Sequence, residues 1–141
     1  MAAILSLLLA AASPVLALLP VYKVERMREL QAAGRVVVIQ FTSQTCALCR
    51  QQEETLERLG KDADKTVPVF LQADYDGESA LRQLWRVGAP SSLVVFRGND
   101  LLDRSTGLVS EDDIRAFVRD AVARSRGRPK ARTPRTTRPK R

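Results

Sequence analysis

The 141-residue sequence has no histidine and only two cysteines, and no charged side chain occurs between Met1 and Tyr22. Without imidazole the chain cannot run Ser-His-Asp or Cys-His catalysis, shuttle protons through histidine, or assemble most zinc sites. Two thiols are too few to staple a core-poor mini-fold and half of what a four-thiolate zinc site requires. Acidic residues are also missing from 124–141, a stretch that holds nine of the 23 lysines and arginines. The remaining residues carry fourteen basic against sixteen acidic side chains, so the net charge of +7 belongs to a tail and the body is slightly acidic. That distribution argues against a nucleic-acid groove in the folded part.

A composition of 45% hydrophobic and 28% charged residues is that of one globular domain with appendages, and leaves no room for a second full domain. Residues 1–19 form the first appendage, a signal peptide or membrane anchor: the uncharged run starting at Ile4 is long enough to cross a bilayer as a helix. Cleavage after Ala17 would start the mature chain at Leu18. No Lys or Arg precedes the run, whereas Lys23, Arg26 and Arg28 follow it, accompanied by Glu25 and Glu29, so the sequence sets orientation weakly. The competing reading is a buried N-terminal helix of the domain itself. Residues 20–124 are the domain, and residues 125–141, with three prolines and no apolar periodicity, read as a disordered basic tail, either drawn to anionic surfaces such as lipid headgroups or a solubilising extension.

Within the domain, Val21–Val24 predicts a short edge strand and Glu25–Ala33 a helix stopped by Gly34. The β-branched run Val36–Phe41 predicts a strand buried on both faces. A helix follows from Cys46 to about Leu59, then a strand over Val67–Leu71, a helix over Glu78–Arg86, and a hairpin made of Ser92–Phe96 and Leu101–Ser105 around Arg97-Gly98-Asn99-Asp100. Ser110 with Asp113 predicts a capped helix start, and Ile114, Phe117, Val118, Ala121 and Val122 repeat with helical period. The order β-α-β-α-β-α-β-β-α implies an α/β fold with a mixed central sheet and helices on both faces.

The pair Cys46-Ala47-Leu48-Cys49 falls where the buried strand turns into a helix. A thiol at a helix start faces unpaired backbone N–H groups and the positive end of the helix dipole, which favour thiolate and lower the pKa from a free value of about 8.5. Cys46 is then the attacking sulfur, Cys49, one turn further, the resolving one, and Arg50 adds positive charge nearby. Two ordinary buried thiols, or half of a shared metal-thiolate site, are the alternative readings.

From Val36 to Val118 the sequence resembles a thioredoxin-family domain: apolar strand, Cys-x-x-Cys at a helix start, Gly-x-Pro at Gly88-Ala89-Pro90, hairpin, Gly107 and amphipathic last helix. Within that superfamily, Cys-Ala-Leu-Cys, Leu71-Gln72-Ala73-Asp74 and Leu108-Val109-Ser110 resemble the periplasmic C-terminal module of DsbD-type thiol reductases. The resemblance implies a thioredoxin-like fold, no cofactor, and a substrate-facing surface at Thr45, Ala89 and Pro90. It implies that Pro90 is a cis-proline whose neighbour, Ala89, offers backbone hydrogen bonds to an extended substrate. It also implies a proton-accepting role for Glu53, one turn beyond Cys49, although a solvent-facing carboxylate is the plainer reading of Glu53 beside Glu54 and Glu57. Two departures stand out: Gln40 occupies a strand position where many relatives bury an acid, and Thr45, a candidate helix N-cap, replaces an aromatic residue. Trp85 reads as a core or rim aromatic.

The expected function is thiol-disulfide exchange on protein disulfides, as a reductase or as a relay fed by a transmembrane electron donor, in an exported domain that is periplasmic or held at the membrane. A thioredoxin-like adaptor or chaperone with little redox activity is the alternative.

Overall fold

Val37, Val38 and Ile39 have no exposed surface, and the strand that contains them, β1 (Val36–Thr42), is the centre of the molecule. A β-branched run of this kind is stable only where both faces of the sheet are covered. In the computed structural model, which describes residues 19–61 and 66–127, β1 pairs in parallel with β2 (Val69–Asp74) and antiparallel with β3 (Ser92–Arg97), and β3 pairs antiparallel with β4 (Asp100–Thr106). The four-stranded order is β2-β1-β3-β4. Four helices complete the fold: α1 (Val24–Ala32), α2 (Ala47–Gly60), α3 (Ser79–Trp85) and α4 (Glu111–Arg126).

Alternation along the strands sends side chains to two separate cores. Val38, Leu93 and Val95 pack with Leu56 and Leu59 of α2 and Ile114, Val118 and Ala121 of α4. Val37, Ile39, Phe41, Val94 and Phe96 pack on the other face with Met27 and Leu30 of α1 and with Leu81 and Trp85 of α3. The mixed sheet with helices on both faces is thus the observed architecture. Trp85 is half-buried and meets Tyr22, Phe41 and Phe96 edge-on, at centroid distances of 5.8, 6.1 and 4.9 Å, as a rim aromatic should.

Helix ends follow the expected chemistry. The Ser110 hydroxyl accepts from the Asp113 N–H at 3.1 Å and donates to the Asp113 carboxylate at 2.6 Å, so the predicted cap forms. Helix α1 ends as its sequence suggests, with Gly34 at φ +63° and the Arg35 N–H returning to the Leu30 carbonyl.

Several boundaries differ from expectation. The segment Val21–Val24 makes one parallel bridge, Val21 to Gln72, and helix begins already at Val24, because only the Pro20 carbonyl and the Tyr22 N–H reach the β2 edge. Strand β2 starts at Val69, after Pro68, which has no N–H for the ladder. Leu19 belongs to the domain, being buried in the α2/α4 core. Helix α4 runs through Arg126, two residues into the stretch expected as tail: Ser125 bonds the Val122 carbonyl, and two arginines in the last turn suit the negative end of the helix dipole. The rest of the expected signal or anchor, and of the basic tail beyond Gly127, lies outside the described residues. Among the described residues no helix is long and apolar enough to cross a membrane.

Candidate active site: the Cys46–Cys49 pair

Strand β1 delivers the chain to a bend at Ser43–Thr45, and Cys46 becomes the N-cap of α2. Its sulfur accepts the Cys49 N–H at 3.1 Å, so the side chain itself satisfies an orphan donor of the first turn. Thr45, expected as a candidate cap, instead has its hydroxyl exposed, 3.5 Å from that of Ser43, whose own hydroxyl donates to Asp76 at 2.7 Å. Cys46 and Cys49 are joined as a disulfide with Cα atoms 5.2 Å apart, which replaces the alternatives of two unrelated thiols or a metal-thiolate site. The two sulfurs differ in environment: Cys46 is half-exposed, whereas Cys49 is fully buried with Sγ 4.0 Å from the Phe41 carbonyl.

Beneath Cys49 lies a chain of buried amides. The Gln40 Nε2 donates to the Cys49 carbonyl at 3.0 Å and to Gln52 Oε1 at 3.1 Å, while Gln40 Oε1 accepts from Gln72 at 3.2 Å. The Gln52 Nε2 then donates to the carbonyls of Ser91 at 3.1 Å and Leu108 at 2.6 Å. Gln40 and Gln52 are wholly buried, so these bonds are made in a low-dielectric interior where leaving them unmade would be costly. The network ties the start of α2 to the two loops beside it, 86–91 and 107–110. Sequence reasoning noted Gln40 as a departure and missed Gln52. The available signal was its place three residues after Cys49, on the buried stripe shared with Leu56 and Leu59.

The loop carrying Pro90 departs from the resemblance. Every peptide bond among the described residues is trans, including Ala89–Pro90. The chain reverses instead at Ser91, a buried non-glycine residue at φ +58°. Such a conformation persists only where the surroundings fix it. Here the Ser91 N–H bonds the Phe41 carbonyl at 2.8 Å, and its own carbonyl accepts from Gly107 at 3.0 Å and from Gln52. Phe41 O is therefore shared by Ser91 N–H and the vicinity of Cys49 Sγ, which brings the loop and the cysteine pair together. The Ala89 carbonyl accepts from Ser92 Oγ at 2.7 Å, and the Ala89 N–H has no partner among the described residues. Ala89 and Pro90 are half-buried.

Leu48, between the cysteines, is 39% exposed, and its Cδ2 lies 3.8 Å from the point a Cβ on Gly107 would occupy. Gly107 has φ +83°, a conformation that favours glycine. Sequence reasoning did not select Leu48 as a contact residue. Glu53 is half-buried at the margin of the α2 stripe, and its carboxylate makes no hydrogen bond or ion pair with another described residue.

Strand, capped Cys-x-x-Cys helix and opposing loop define a thioredoxin-fold thiol-disulfide couple. The thioredoxin family model matches residues 19–120, and the chain belongs to that family. A search of the curated proteins gives no match. Among solved structures it is similar to the Trxlp protein of Edwardsiella tarda (24% identity, TM-score 0.64, covering 71% of this chain and 97% of that one). It is similar as well to the thioredoxin of Malassezia sympodialis (20%, 0.62, 75% and 95%) and to that of Fasciola hepatica (23%, 0.59, 69% and 92%).

Proposed function

We propose that the chain is a membrane-tethered protein-disulfide reductase or electron relay, exported so that its domain lies outside the cytoplasm. The observation that carries the redox part is the asymmetry of the pair, with Cys46 half-exposed and accepting the Cys49 N–H while Cys49 is buried behind it. In the reduced protein the same N–H and the end of α2 favour the thiolate of Cys46 over its thiol. That thiolate attacks one sulfur of a substrate disulfide; the substrate S–S bond breaks, one substrate sulfur leaves as thiolate, and a mixed disulfide forms on Cys46. Cys49 then loses its proton and attacks Cys46 Sγ, the mixed disulfide breaks, and the second substrate sulfur leaves and is protonated. The substrate gains two electrons, and the Cys46–Cys49 disulfide seen in the structure is the oxidised product. A second dithiol, in the relay reading that of a transmembrane donor, returns the pair to its reduced form.

Glu53, one helical turn past Cys49, is the carboxylate proposed to take the Cys49 proton. The exposed Leu48 and the Ala89 N–H, without a partner among the described residues, are the proposed landing points for an extended substrate segment, with Thr45 and Pro90 at its edges. The residue 1–19 segment supports the tether, and the resemblance to the DsbD-type module supports the relay.

Replacing Cys49 by serine should leave mixed disulfides on Cys46 that survive denaturing, non-reducing electrophoresis, and replacing Cys46 as well should abolish them. If neither variant captures a protein and the wild type does not accelerate insulin reduction by dithiothreitol, the adaptor reading takes its place.

A further inference from the structure

At the end of the sheet where β1 begins, remote from the cysteines, an open groove of about 690 Å³ is lined by Arg35, Arg97, Arg115, Arg119 and Arg126, and no carboxylate among the described residues lines it. Its floor is apolar, formed by Leu59, Phe70, Ile114 and Val118. Four of the arginines are exposed and Arg35 is half-buried. Arg35 donates to the Val67 carbonyl at 3.1 Å, Arg115 pairs with Glu111 and Arg119 with Asp120, whereas Arg97 and Arg126 have no ion pair with another described residue. Among the described residues this pole of a slightly acidic body thus carries two arginines, Arg97 and Arg126, without an ion pair.

The course of the chain singles out the same pole. The bridge of Val21 to Gln72 is parallel, so the chain upstream of Val21 runs back toward the start of β2, and Leu19 packs in the core cluster that also holds Leu59, Phe70 and Val118 of the groove floor. Leu19, which follows the uncharged residues 1–18 in the sequence, therefore enters the fold beside the groove. Helix α4 begins near the redox pair, where Leu108 bonds Gln52, and ends at the groove with Arg126, just before the basic residues 128–141. The cysteines follow the opposite end of β1, a strand of seven residues spanning about 23 Å.

We propose that this arginine pole docks flat on an anionic lipid bilayer, guanidinium groups at the headgroup phosphates, and so holds Cys46 facing away from the membrane. Arginine suits the role because its planar fork pairs with phosphate oxygens in two-point fashion. Attraction of each arginine to an anionic surface also adds to that of its neighbours within a Debye length. The inference rests on the tethered reading above and adds the orientation, which a tether alone leaves free.

The test uses the full chain, methyl-labelled, in nanodiscs of phosphatidylcholine alone or mixed with phosphatidylglycerol, each carrying a trace of lipid with a paramagnetic headgroup. In the anionic discs the methyl signals of Val67 and Val122 should broaden while that of Leu48 stays sharp, with the pattern lost at high salt and in neutral discs. Arg97→Gln with Arg126→Gln should lower the docked-to-free ratio roughly tenfold or more with the basic tail intact, and lysine at the two positions, which keeps the charge without the fork, should restore it in part. Even broadening of all three methyls, broadening centred on Leu48, or no effect of the two glutamines would overturn the proposal. So would a single-stranded oligonucleotide that shifts Val67 and Val122 where anionic discs do not. Retention on neutral discs reports the anchor, and insulin reduction by the disc-bound chain reports the cysteine pair, so failure of docking is distinguishable from failure of either reading.

Discussion

Gln40 and Gln52 share a hydrogen bond of 3.1 Å directly beneath the buried cysteine, each side chain without exposed surface. Neither amide ionises, so this layer of the site positions groups without exchanging protons. Gln40→Glu would set a carboxylate against the Cys49 carbonyl and Gln52 Oε1, both acceptors. Burial and this opposition disfavour the charged form and raise the folded-state pKa above the unfolded value of about 4.3. Stability of the variant relative to wild type should therefore be greatest below that value and fall as pH rises through the raised folded pKa. Denaturant midpoints measured across the acid range check this, and a flat difference would contradict it.

Gln52 donates to two carbonyls in different loops and accepts from Gln40. Gln52→Leu keeps the volume but strands those partners, and should cost about 3 kcal/mol. Equilibrium unfolding should show the loss with an unchanged m-value. If Ser91 depends on this bond for its left-handed conformation, exchange of its amide hydrogen with solvent should also quicken.

Much of this arrangement was legible in the sequence. The apolar run at Val36–Phe41, the Ser110 cap and the Ile114–Val122 periodicity each reflect a local rule that tertiary packing did not override. What was illegible depended on contacts distant in the chain. By residue type Thr45 is the favoured N-cap, and only the path from the Ser43 bend puts the Cys46 sulfur on the Cys49 N–H instead. The Ala89–Pro90 bond is trans because Ser91, held by Phe41, Gly107 and Gln52, makes the reversal. No local pattern announces that three-way restraint.

Leu48 is exposed, so Leu48→Ser should change stability by no more than about 0.5 kcal/mol. If the side chain receives substrate, the variant should lose roughly fivefold to tenfold in kcat/KM toward a protein disulfide. Its reaction with a small disulfide such as oxidised dithiothreitol should be unaffected, and equal losses on both substrates would count against the contact.

Tyr22 has its pKa raised above 10, first by burial against Trp85 and then by Glu78. The unfolded chain therefore loses this proton at lower pH than the folded one, so the stability the neutral phenol contributes is intact below pH 10 and drains away as pH climbs through the folded pKa. Alkaline unfolding of the wild type should steepen above pH 10, and Tyr22→Phe should remove that component.

The proposed chemistry requires that Cys46 ionise more readily than a free thiol once the pair is reduced. Titrating the thiolate absorbance of the reduced protein, with Cys49→Ser to isolate the signal, should place the Cys46 pKa clearly below the free value of about 8.5. A value at or above that figure would mean that the Cys49 amide and the end of α2 do not prime the sulfur, and the account of the site would fail.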